Sequence, residues 1–283
     1  MKKTKGFLLM LLILAGLGTF LWKQWNQAFE WSTGVIYQAD FAMRPMTTQA
    51  GIPVLLYHHI LEDRENKKFR YNEEVITPEQ FQQEMGVLHN EGFTTVTLRQ
   101  LEGYLDKKIT LPAKSVAITF DDGYLSNYKY AYPILKRYHD HATIFAITED
   151  VRQKPELFNP DKLNYISWPE ISRYHDVFDV EAHAHHFHRV SGLGTSYLLS
   201  KPPEAVKKDL AVCKSLTHAA YFAYPYGQYN DTTIKIVKDL GFHMAFTINA
   251  GNVYPGANKF ALNRNCIFPY TTLDEFKNII RGQ

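Results

Sequence analysis

Val116-Ala117-Ile118-Thr119-Phe120-Asp121-Asp122-Gly123-Tyr124 runs from a nearly unbroken apolar stretch into two adjacent carboxylates. A short run without polar alternation reads as a strand buried on both faces, the environment of a parallel sheet covered by helices. Ile52-Pro53-Val54-Leu55-Leu56-Tyr57 has the same character and ends in His58-His59. An Asp-Gly pair alone often marks only a turn. Here two like charges stand at the end of a buried strand, and a cation would relieve their repulsion.

The same pattern repeats along the chain. Helices are expected over 77–90, 98–105, 128–139, 203–215, 232–240 and 273–280, with a short one opening at Ser167. Thr77-Pro78-Glu79-Gln80 and Ser167-Trp168-Pro169-Glu170 carry helix-start signals: a capping hydroxyl, an early proline and a glutamine or glutamate to close the box. Strands are expected over 93–96, 142–147, 178–182, 219–223 and 243–247, and residues 61–76 read as an exposed, charged loop. Alternation of strand and helix predicts an α/β protein, a distorted (β/α) barrel. In such a barrel the residues that follow the strands gather on one face, where active sites lie. His58, Asp121, Asp122, His183, His188 and Tyr226 all follow expected strands.

Glu181-Ala182-His183-Ala184-His185-His186-Phe187-His188-Arg189 supplies imidazoles to match the carboxylates. One carboxylate and two imidazoles can hold a divalent metal with a position left open. Asp122, His183 and His188 form that set. Two histidines five apart cannot share one helical face, and Ser191, Gly192 and Gly194 fit a turn. Asp121 then remains as a base. The metal would lower the pKa of water and polarise a carbonyl, which suits amide or ester hydrolysis. Zinc fits the donors best, and cobalt or nickel could use them too. The turn Tyr224-Pro225-Tyr226-Gly227 could offer the Tyr226 backbone N–H to an oxyanion. His58 or His59 could protonate the leaving amine.

Composition sets outer limits. The 283 residues are 45% hydrophobic, enough for one large domain with a sizeable core. The formal net charge of +2 gives no basic field, so nucleic acid is not an expected partner. Cys213 and Cys266 form no paired motif and read as two buried thiols, although one bridge between them could form. Lys2, Lys3 and Lys5 precede an uncharged run from Gly6 to Trp22, closed by Lys23. A retained signal-anchor and a cleaved signal peptide both fit residues 1–23, and both deliver the rest of the chain outside the cytoplasm. Residues 24–50 read as a tether and residues 51–283 as the catalytic domain.

Thr119-Phe120-Asp121-Asp122-Gly123, the His183–His188 segment and Phe222-Ala223-Tyr224-Pro225-Tyr226-Gly227 resemble the polysaccharide deacetylases of NodB type, carbohydrate esterase family 4. Leu55-Leu56-Tyr57-His58-His59-Ile60 and the His-x-x-x-x-His spacing are most similar to the branch that N-deacetylates poly-β-1,6-N-acetyl-D-glucosamine, a biofilm adhesin. The resemblance implies Asp121 as base, Asp122, His183 and His188 as metal ligands, Tyr226 as oxyanion donor and His58 as general acid. It implies an extracellular N-acetylglucosamine polymer as substrate and the polysaccharide synthesis machinery as a partner, while the N-terminal segment makes the membrane a partner. Peptidoglycan, β-1,4-linked oligomers, or mere carbohydrate binding are the alternatives. The chain departs from the family pattern in three places. Ala184 replaces a threonine, no C-terminal Leu-x-His motif is present, and Ala223 stands where an arginine normally orients the base. His185 competes with His183 as ligand, and His183 keeps the branch spacing.

Overall fold

The computed structural model of the protein describes residues 51–283. The expected anchor and tether lie outside the described residues. No helix among the described residues is long and apolar enough to cross a membrane.

The chain begins with β1 (Val54–Tyr57), β2 (His59–Ile60), β3 (Val75–Ile76), α1 (Pro78–Glu91), β4 (Thr94–Thr95), α2 (Leu98–Leu105) and β5 (Ser115–Phe120). A π-helical turn (Asn127–Ala131) leads into α3 (Tyr132–Tyr138), then β6 (Ala142–Ala146), α4 (Trp168–Arg173) and β7 (Phe178–Ala182). Next come α5 (Tyr197–Ser200), α6 (Pro203–Thr217), β8 (Tyr221–Ala223), a 3₁₀ turn (Pro225–Gly227), α7 (Asp231–Asp239), β9 (Met244–Phe246), β10 (Asn265–Cys266) and α8 (Leu273–Arg281).

The main sheet runs β10-β1-β5-β6-β7-β8-β9, and every pairing is parallel. All six residues of β5 are buried, as its apolar run requires. Tyr57 and Phe120 stack between β1 and β5, and Phe81 of α1 packs edge-on against Tyr57. The segment after β9 draws the sheet's two edges together. The Ala245 and Thr247 N–H groups donate to the carbonyls of Lys259 and Leu262, while Asn265 and Cys266 pair with Leu55 and Leu56. The curved parallel sheet therefore sends the ends of β1, β5, β7 and β8 to one face.

Local structure departs from the sequence reading in instructive places. Residues 61–76 are not loop throughout, because β3 pairs with β2 and forms a small second sheet. Thr77 caps α1, but Gln80 does not close the box: its Nε2 donates to the Phe268 carbonyl and to Glu84 Oε1. A tertiary partner outcompetes the local one. The Ser167–Glu170 box does form. The helix expected over 128–139 opens as a π turn, a form frequent at functional sites. Cys213 and Cys266 are both free thiols.

Candidate active site

Backbone geometry builds the site before any side chain does. Among the described residues six non-glycine positions have positive φ. Lys107, His139 and His218 lie at helix C-termini, where left-handed residues are ordinary. The other three are Asp122 (φ 71), Ala184 (φ 68) and Tyr226 (φ 58), one in each turn that follows β5, β7 and β8. Such backbone costs about 1–2 kcal/mol per residue and persists where surrounding structure imposes it.

Asp121 is almost fully buried and fixed on every side. Its N–H donates to the Tyr57 carbonyl at 2.9 Å. Arg264, fully buried, grips the carboxylate with two parallel bonds, Nη1 to Oδ1 and Nη2 to Oδ2, each 2.7 Å. Arg264 is itself held by Nε donating to the Thr247 carbonyl at 2.9 Å. Burial alone would raise the pKa of Asp121, but the Arg264 guanidinium overrides it and holds the carboxyl well below the usual range. The arginine absent at Ala223 is thus supplied from residue 264, and the expectation of a base without its orienting partner is corrected.

Asp122, His183 and His188 converge. His183 Nδ1 lies 2.9 Å from the Ala223 carbonyl and donates to it, which leaves a lone pair on Nε2. That Nε2 faces His188 Nε2 at 3.1 Å. Asp122 Oδ1 is 3.3 Å from His188 Nε2 and 3.6 Å from His183 Nε2. Ligands of a tetrahedral zinc-sized ion, with bonds of about 2.0–2.1 Å, lie about 3.3 Å apart. The donor types and spacings therefore fit a divalent cation. Burial pushes both imidazoles down to about 4, so they are neutral at pH 7, the form that binds metals. His185 points elsewhere: its Nδ1 meets Thr148 Oγ1 at 2.9 Å and its N–H donates to Asp209.

The remaining expected residues border this centre. Tyr226 lays its ring on His188, with centroids 4.7 Å apart. The two hydrogen bonds of its turn are made by the Gly227 and Gln228 N–H groups rather than by its own. His58 follows β1, and its Nε2 lies 3.9 Å from Glu74 Oε1. His59, the alternative acid, is buried instead, with Nδ1 on Ser126 Oγ at 2.7 Å. Sequence reasoning missed Arg264 and Glu74. The lone arginine in Asn263-Arg264-Asn265 carries no motif, and Glu74 sat in a stretch read as loop.

A family model described as polysaccharide deacetylase matches residues 108–245. That range includes Asp121, Asp122, His183, His188 and Tyr226 and stops short of His58, Glu74 and Arg264. A poly-beta-1,6-N-acetyl-D-glucosamine N-deacetylase of Staphylococcus epidermidis is 28% identical over 214 residues, 73% of this chain and 71% of that protein. The structure of IcaB from Ammonifex degensii has a TM-score of 0.67 at 29% identity, over 84% of this chain and 97% of that one. Streptococcus pyogenes deacetylase PplD in complex with acetate has the same fold, with a TM-score of 0.70 at 24% identity over 82% of this chain and 99% of its own. The fold and the matched motifs define a hydrolase. Residues 108–245 carry a polysaccharide deacetylase domain, and the chain is similar over most of its length to enzymes that bear that name.

Proposed function

We propose that the protein removes acetyl groups from N-acetylglucosamine units of a poly-β-1,6-linked polymer on the extracytoplasmic side of the membrane. The observation that carries this reading is an ionised carboxylate, Asp121, clamped by Arg264 next to the Asp122–His183–His188 donor set. The staphylococcal relative supports the polymer. The apolar run from Gly6 to Trp22 behind three lysines supports the location.

Zinc held by Asp122, His183 and His188 would supply Lewis acidity, polarising the acetyl carbonyl and making water more acidic. Asp121 accepts the proton of the attacking water. A carboxylate held so low is a weak base, so the reaction depends on that increased acidity. Arg264 fixes the direction from which the base acts. The Tyr226 N–H donates to the developing oxyanion, and its left-handed backbone turns that N–H out of the turn's own hydrogen bonds. His58 gives the leaving amine its proton.

The test is acetate release by the full chain from β-1,6-linked and β-1,4-linked N-acetylglucosamine oligomers, metal-stripped and zinc-restored. Zinc-dependent release from the β-1,6 oligomers, reduced at least about 1,000-fold in Asp121→Asn, is expected. Release only from β-1,4 oligomers would keep the chemistry and replace the polymer. Polymer binding without acetate release would turn the reading to a carbohydrate-binding protein.

A further inference from the structure

We propose a second divalent-cation site, formed by His58, Glu74 and Asp122, whose occupancy silences the enzyme. Each of these residues offers one ligand atom, and the three atoms lie within 4.8 Å of one another. The backbone holds both new ligands in place. The Glu74 carbonyl accepts the His59 N–H at 3.2 Å, and its own N–H donates to Asn72 Oδ1 at 2.9 Å. The His58 carbonyl accepts from Asn127 Nδ2 at 2.8 Å.

The distance of 3.9 Å from His58 Nε2 to Glu74 Oε1 is too long for a hydrogen bond and somewhat wider than the roughly 3.3 Å between two ligands on one tetrahedral ion. Both side chains retain solvent contact, at 18% and 50% exposure, so small rotations can close the gap. A carboxylate can bridge two cations about 3.5–4 Å apart, and Asp122 belongs to both donor sets.

Charge ranks the two sites. Asp121 is matched by Arg264, and Asp122 and Glu74 bring two further carboxylates to the centre, so one divalent ion balances it. A second meets a centre already neutralised and a wider donor set, and binds more weakly. Once bound it occupies the Nε2 lone pair of His58. The loss of activity rests on the proposed role of His58 as proton donor, whereas the binding stoichiometry does not.

The experiment is equilibrium dialysis of the metal-stripped full chain against increasing zinc, with elemental analysis, for wild type, Glu74→Gln and Glu74→Ala. Two zinc ions per wild-type chain are expected, the second at least about tenfold weaker, and one per variant chain. One ion in the wild type, or two in both variants, overturns the proposal. No ion in the wild type overturns it together with the reading of Asp122, His183 and His188 as ligands, which the single-ion outcome leaves standing. In parallel, acetate release should fall as zinc passes the first equivalent in the wild type and hold at its own maximum in Glu74→Gln. Equal inhibition of both overturns the assignment.

Discussion

Arg264 shows how much one side chain can decide. It is fully buried, and among the described residues its charge is matched by the Asp121 carboxylate. Removing one member of a buried ion pair leaves the other charged and desolvated, which costs about 3–5 kcal/mol. Arg264→Met is therefore expected to lower unfolding free energy by about that amount in urea titrations. Asp121→Asn introduced into Arg264→Met should restore part of the loss. If the two substitutions simply add, the pair is not coupled as the geometry requires. The sequence displayed Asp121 openly, at the end of an apolar run, but gave no hint of its partner. The two residues are 143 positions apart, and nothing local to Asn263-Arg264-Asn265 distinguishes it from a surface segment.

The turns after β5, β7 and β8 form the next level of organisation. Each uses backbone strain to bring a side chain round to the same point, and each was marked in the sequence by its chemistry rather than its conformation. Gly227 follows Tyr226 with φ 64, and a Cβ there would meet Ile248 Cγ1 at 2.3 Å. Gly227→Ala must displace Ile248 or the turn itself. A loss of about 1–3 kcal/mol is expected from overpacking and left-handed backbone together, with a lower kcat as Tyr226 shifts. Thermal unfolding and acetate release on the same sample check both parts, and wild-type values for both would show that the turn is plastic. The elements themselves were mostly legible. α4 begins where the Ser167 cap predicts, and α2 spans the expected 98–105. β10 was not legible, since two residues, Asn265 and Cys266, form no apolar pattern. β3 was hidden because Val75-Ile76 is only two residues long inside a charged stretch.

Across the molecule, buried titratable groups set how stability varies with pH. Glu84 lies beneath the sheet, accepting from the Tyr57 hydroxyl at 2.8 Å and from Gln80. Burial pushes its carboxyl up to about 7. The folded state then binds the proton more tightly than the unfolded state, so this contribution is complete below about pH 4.5 and is lost as pH rises to about 7. Its size is roughly 3 kcal/mol. His59 acts in the opposite direction. Burial lowers it to about 4, so unfolding takes up a proton between pH 4 and 6.5 and stability rises across that window. Comparing urea unfolding at about pH 5 and about pH 8, Glu84→Gln should gain roughly 3 kcal/mol relative to wild type at the higher pH. An unchanged difference between the two pH values would mean that Glu84 is ionised in the folded protein.

The class of fold and the chemistry on offer are written in local patterns of residues. Apolar runs that end in Asp121-Asp122 and His58-His59, repeated between helices, leave a parallel α/β sheet as the way to bury them, and they set polar groups at its strand ends. The family motifs rest on those same patterns. Which groups meet was settled in three dimensions. Folding chose His183 over His185 by turning the latter to Thr148, brought Arg264 to Asp121, and set Glu74 beside His58. Those choices depend on strand register and on the path of the closing segment. Both are fixed by packing across the whole sheet, and neither leaves a signature in neighbouring residues.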